Sequence, residues 1–284
     1  MLATAILLIS TEDKKGITAA VTNFVSEHGG NILHADQHID EHSNTFFMRV
    51  EWCLDGFGVV EERIEDEFAP IAKKFNIQYE LYFSGQKQKM AIFVSKPQHC
   101  LYNLLYRYRS GQLNCEIAAI ISNHSDARQV ADEYDIPYHL FEINPANKQV
   151  QEKKEIELLK SLDVDLIVLA RYHQIMTQEF IDEFPSKIIN IHHSFLPAFA
   201  GQAPYLQAYE KGVKLIGATS HYIIEALDEG PIIEQETARV SHRDSVSDLK
   251  LKGEDLERGV LARAVQWHLD RKILTYGNKT VVFD

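Results

Sequence analysis

Apolar positions follow two different rhythms along this chain, and the change falls at residues 85–89. Ala3-Thr4-Ala5-Ile6-Leu7-Leu8-Ile9 is an almost unbroken apolar run and predicts a buried strand over residues 3–10. After Asp13-Lys14-Lys15-Gly16-Ile17 an amphipathic segment runs to His28, where Gly29-Gly30 ends it, since glycine accepts the left-handed backbone that follows a helix. Residues 31–40 and 44–53 predict two strands around a polar turn, residues 57–75 carry apolar positions at helical spacing, and Ile77–Phe83 predicts a last strand. The order βαββαβ is that of a ferredoxin-like domain. Ser84-Gly85-Gln86-Lys87-Gln88-Lys89 is polar and carries a glycine, so the chain is divided as 1–84, a linker at 85–89, and 90–284.

From Met90 short apolar strands alternate with helices. Met90–Ser95, Glu116–Ser122 and Val164–Ala170 read as strands, and residues 98–108, 126–134 and 148–161 as helices, the last of them a charged one. Residues 213–239 predict paired strands and 245–271 a long helix. This pattern implies an α/β, Rossmann-like domain with a mostly parallel sheet covered on both faces. Ligands of such sheets bind beyond the carboxyl ends of the strands. Two polar clusters fall at such ends: Ala170-Arg171-Tyr172-His173 and Asn190-Ile191-His192-His193.

The second cluster carries the chemistry. Residues two apart on a strand share a face, so Asn190 and His192 project together and His193 projects away. Asp228 lies in Leu227-Asp228-Glu229-Gly230-Pro231, a loop between two apolar runs. An amide to hold an oxyanion, an imidazole to move a proton and a carboxylate to orient it suffice for attack on a carbonyl carbon. A zinc site built from His192, His193 and His221 is disfavoured, because the first two face opposite ways and no further ligand lies at metal spacing. Cys100, at a helix start, reads as a core cysteine before it reads as a nucleophile. No phosphate-binding glycine loop is present.

The net charge of −12 argues against a nucleic-acid surface or an anionic-membrane surface. No apolar stretch reads as long enough to span a bilayer, and the three cysteines form no paired framework, so a reducing cytoplasm is expected.

The strings Asn190-Ile191-His192-His193-Ser194-Phe195-Leu196-Pro197, Gly217-Ala218-Thr219-Ser220-His221-Tyr222 and Leu227-Asp228-Glu229-Gly230-Pro231 resemble the folate-dependent formyltransferase superfamily. With His99-Cys100-Leu101, they are similar to the 10-formyltetrahydrofolate deformylases within it. The front part, through Asp13-x-x-Gly16-Ile17, Gly29-Gly30-Asn31-Ile32 and Asp36-Gln37-His38, resembles the ACT regulatory domain joined to those enzymes.

The resemblance implies hydrolysis of 10-formyltetrahydrofolate to formate and tetrahydrofolate, supplying formate for purine synthesis, with no cofactor and no metal. It implies Asn190, His192 and Asp228 as the catalytic trio, His221 in support, and Tyr172, His173, Gln174, Ile175 and Met176 as the loop against the folate. Asp13, Gly16, Ile17 and Asn31 would border an amino-acid effector, glycine or methionine, and a homo-oligomer is expected from edge-to-edge pairing of the front sheets. Two departures from the family pattern stand out: Gln202-Ala203-Pro204-Tyr205-Leu206 in place of an Ala-Lys-Pro-Tyr-His-like run, and His173 in place of a methionine. Two alternatives remain: a formyltransferase passing the group to an amine, and a non-catalytic folate or amino-acid sensor.

Overall fold

The computed structural model describes residues 2–197 and 204–284. The chain divides into two compact units. The first comprises residues 1–87 with Arg271–Tyr276 and Val281–Asp284, and the second Gln88–Asp270 with Gly277–Thr280.

In the first unit, β1 (Thr4–Glu12), α1 (Ile17–Glu27), β2 (Asn31–Asp40), β3 (Thr45–Cys53), α2 (Ile64–Phe75) and β4 (Gln78–Phe83) follow the expected βαββαβ order. The strands stand in the order β2-β3-β1-β4, all neighbours antiparallel. Strand alternation explains why β1 is apolar throughout. Ala5, Leu7 and Ile9 face the helices and pack with Ile17, Val21, Phe24 and Phe68. Leu8 faces the other way, against Phe47, Val281 and Phe283. The C-terminal residues therefore cover the second face of this sheet, where a linear division would assign them to the other domain. Helix α2 is shorter than its apolar spacing suggests, because a 3₁₀ turn at Glu61–Arg63 precedes it.

The second unit runs β5 (Gln88–Val94), α3 (His99–Arg109), β6 (Cys115–Ser122), α4 (Arg128–Glu133), β7 (Tyr138–Leu140), α5 (Lys148–Ser161), β8 (Leu166–Leu169), α6 (Gln178–Glu183), β9 (Ile188–His192), α7 (Pro204–Glu210), β10 (Leu215–Tyr222), β11 (Ile232–Arg239) and α8 (Val246–Leu269). The expected linker is partly strand, since Gln88 and Lys89 already belong to β5. The sheet order is β11-β10-β9-β8-β5-β6-β7. The pairs among β9, β8, β5, β6 and β7 are parallel, while β10 runs antiparallel to both of its neighbours. Strands β5 and β8 are wholly or nearly buried, as expected when helices cover both faces. Beyond α8 come two short paired strands, β12 (Ile273–Tyr276) and β13 (Lys279–Val282). Among the described residues no helix is long and apolar enough to cross a membrane.

Candidate active site

Strand pairing brings the first two polar groups together. Asn190 of β9 stands directly opposite His221 of β10, and opposed residues of an antiparallel pair share a face. Asn190 Nδ2 accordingly lies 3.3 Å from His221 Nε2. His192, two residues on, faces the same way. The third group arrives on the connection from β10 to β11. Asp228 holds a left-handed backbone, φ 58°, which a non-glycine residue keeps only under constraint. Gly230 supplies part of that constraint. A Cβ there would fall 1.8 Å from the carbonyl oxygen of Tyr222, so only glycine lets the loop close on β10. Tyr222 N then donates to Pro231 O at 2.9 Å. Asp228 is left with Oδ2 3.3 Å from His192 Nδ1 and Oδ1 3.8 Å from His221 Nε2.

The hydrogen bonds fix where the protons sit. His221 Nδ1 is 2.9 Å from the Tyr222 carbonyl, which can only accept, so Nδ1 carries a hydrogen. Burial lowers the pKa of this ring and favours its neutral form. Its Nε2 is then a bare acceptor for Asn190 Nδ2, and at 3.8 Å it makes no hydrogen bond to Asp228. Holding the Asn190 amide by one N–H leaves the other free to donate. The carboxyl of Asp228 sits below its ordinary range, chiefly through the His192 hydrogen bond, with burial working against the shift. His192 thus donates from Nδ1 to an ionised carboxylate, and its Nε2 is buried with no hydrogen-bond partner among the described residues.

These groups open on a cavity of about 340 Å³ that is also lined by Tyr172, His173, Gln174, Ile175 and Met176. The expected catalytic and folate-side residues therefore share one cavity. Ile175 and Leu227, 61% and 60% exposed, present large apolar side chains at it. His193 departs from expectation. Strand β9 ends at His192, so alternation does not carry to the next residue. The two rings lie 5.0 Å apart and both line the cavity. Burial, then the Arg171 charge, pushes the His193 pKa down to about 4.

A second polar cluster escaped the sequence reading. Glu257 of α8 is 1% exposed and accepts from Tyr205 Oη at 2.7 Å, while His99 Nε2 stands 2.7 Å from its other oxygen. Arg171 Nε lies 3.3 Å from that same oxygen, a charge contact without the alignment of a hydrogen bond. Burial opposes ionisation here, but these three partners outweigh it and hold the Glu257 carboxyl below its usual range. The signal was a glutamate on the stripe of α8 that also carries Leu249, Gly253 and Val260. His99, Cys100 and Glu257 bring ligand-type atoms within 4.8 Å of one another. The donor set suits a metal poorly: Glu257 already has a guanidinium, and burial, then Glu257 itself, pushes the Cys100 thiol up and away from thiolate. The same shift speaks against Cys100 as a nucleophile.

The expected effector residues do not meet within one chain. Asp13 follows the end of β1, and Gly16, φ 97°, leads into α1. Ile17 is buried in the core. Asn31 pairs with Cys53, which pairs with Thr4 at the opposite end of β1. At roughly 3.3 Å per strand residue, Asn31 stands about 26 Å along the sheet from Glu12. Gln202 and Ala203 lie outside the described residues.

Residues 88–265 match the Formyl transferase family and residues 5–69 the ACT domain. The formyltetrahydrofolate deformylase of Synechocystis sp. is 52% identical over 99% of this chain and 98% of its own length. That of Bacillus subtilis is 48% identical over 98% and 93%. The crystal structure of a formyltetrahydrofolate deformylase from Pseudomonas syringae superposes with a TM-score of 0.97 at 43% identity, covering 100% of this chain and 95% of that one. By sequence along its whole length and by fold, the chain belongs to the formyltetrahydrofolate deformylase family, in which an ACT domain precedes a formyl transferase domain.

Proposed function

We propose that the protein hydrolyses 10-formyltetrahydrofolate to formate and tetrahydrofolate. The observation that carries this reading is the convergence of Asn190, His192 and Asp228 on one cavity, with His192 Nε2 buried and unpartnered among the described residues. Tyr172 through Met176, with Leu227, give that cavity a wall of apolar and ring surface suited to the flat pterin end of a folate.

Resonance protects a formamide, so its cleavage needs a stabilised oxyanion and a protonated leaving nitrogen. Water, held near Asp228 and His192, adds to the formyl carbon and gives a proton to His192 Nε2. The free N–H of Asn190 donates to the oxygen that takes up the negative charge. His192 then returns its proton to the departing nitrogen, the C–N bond breaks, and formate leaves. Asp228 stabilises the imidazolium formed between the two transfers, and His221 positions the Asn190 amide. Water and the formyl group are the only reactants, and the reaction calls for neither metal nor cofactor.

Incubation with 10-formyltetrahydrofolate and no amine tests this reading. Steady formate release supports hydrolysis. Turnover that appears only when an amine acceptor is added favours a transferase, and binding without turnover a sensor.

The proposal extends to a cytoplasmic enzyme that supplies formate for purine synthesis and is governed by an amino acid such as glycine or methionine at the ACT domain. Since Asp13 and Asn31 stand a strand length apart in one chain, an effector pocket using both draws them from two copies, in keeping with a homo-oligomer.

A further inference from the structure

Helix α5 turns charged side chains inward beneath the cavity wall. Lys148, Glu152 and Glu155 recur at spacings of four and three and so share one face of the helix with Ile156 and Leu159. Glu152 and Glu155 are buried, where a carboxyl group is costly unless it is partnered. Each of the three side chains engages a different point of residues 172–177. Tyr172 Oη donates to Glu155 Oε1 at 3.2 Å. Thr177 N donates to Glu152 Oε1 at 3.3 Å. Lys148 Nζ donates to Ile175 O and lies 3.9 Å from Glu152 Oε1. Residues 172–176 are the wall that lines the cavity. Packing alone would need only apolar side chains, as Ile156 and Leu159 supply on the same helix. Charged groups in that place fix hydrogen-bond geometry as well as volume.

We infer that Lys148, Glu152 and Glu155 are positioning residues that set the shape of the 172–177 wall and, through it, affinity for the pterin end of the substrate. Only the identity of the ligand rests on the functional reading above. The ionisable groups facing Glu155 are Tyr172, Glu152 and Lys148. Burial, with Glu152 adding to it and Tyr172 and Lys148 opposing, pushes the Glu155 carboxyl up to about 8. Burial and Glu155 also push Tyr172 up, so its hydroxyl stays a donor. At neutral pH the Glu155 carboxyl is therefore held uncharged beside Glu152 and Lys148. Above about pH 8 Glu155 ionises, which places a charge on the same buried face and strains the wall.

Steady-state formate release and hydrogen exchange on the full-length enzyme test this. Glu155→Ala and Glu152→Ala are expected to raise KM for 10-formyltetrahydrofolate about tenfold with kcat within about twofold, and to speed amide exchange at 172–177. Glu155→Gln keeps an acceptor for Tyr172 and cannot ionise. It is expected to restore KM at neutral pH and to abolish the rise in KM that the wild type shows above about pH 8. Folded alanine variants with unchanged KM and unchanged exchange would overturn the inference, as would Glu155→Gln behaving like Glu155→Ala. Should the wild type release no formate, the functional reading fails by itself. Exchange at 172–177 then decides the clamp, faster in its favour and unchanged against it.

Discussion

His192 Nδ1 lies 3.3 Å from Asp228 Oδ2, while the other nitrogen of the same ring is buried with no hydrogen-bond partner among the described residues. The carboxylate sets the tautomer, and the tautomer leaves Nε2 without a proton, as the proposed base requires. Asp228→Asn changes the shape very little but presents an amide that can hold the ring in the wrong tautomer. Formate release is expected to fall about ten-thousandfold in kcat with KM nearly unchanged, by analogy with triad carboxylates. A variant as active as the wild type would remove Asp228 from the chemistry.

On the proposed mechanism Asn190→Ala takes away a donor whose worth lies in the transition state. Turnover is expected to drop about a hundredfold while tetrahydrofolate binding holds. Loss of affinity at constant kcat would instead make Asn190 a ground-state contact.

Gly230→Ala would drive a methyl group into the Tyr222 carbonyl and push the Asp228 loop off β10. The overlap is expected to cost about 1–3 kcal/mol of stability and to lower kcat as well. Calorimetry beside a formate assay reads both effects, and a wild-type melting temperature would show that the loop yields freely.

Acid should destabilise the protein through the histidines that the fold holds below their ordinary pKa. His193 has its pKa lowered from an ordinary 6.5 to about 4, and His139, His173 and His221 shift the same way. As pH falls below 6.5 the unfolded chain takes up these protons before the folded one, so stability declines down to about pH 4 for His193. The depressed Asp228 adds a loss of the same sign at lower pH, as the unfolded carboxyl protonates first. His193→Gln should therefore flatten part of the fall in melting temperature between about pH 7 and about pH 5. An unchanged slope would mean that His193 gains its proton equally well in both states.

Most of the fold was legible because its elements are long and periodic. The ferredoxin-like order, the parallel sheet and α8 all follow from spacing. Short elements were not: β7, α6 and α7 have too few residues for a period to emerge. Nor did spacing reveal that Val281 and Phe283 belong against Leu8 and Phe47, a contact across almost the whole chain. The shared face of Asn190 and His192 was legible because strand alternation pairs them. Alternation failed one residue later, at His193, where the strand stops. Glu152, Glu155 and Glu257 belong to no motif that marks them in the sequence, although each falls on a buried stripe of its helix. The effector set rested on resemblance alone, and the antiparallel register that puts Asp13 and Asn31 at opposite ends of the sheet has no local signal in the sequence.

Hydrolysis at this site is tested most directly by turnover of 10-formyltetrahydrofolate in water labelled with heavy oxygen, with no amine present. Attack by water on the formyl carbon leaves one labelled oxygen in each formate released, at a rate that collapses in Asp228→Asn. Unlabelled formate, or no formate until an amine is supplied, would contradict it.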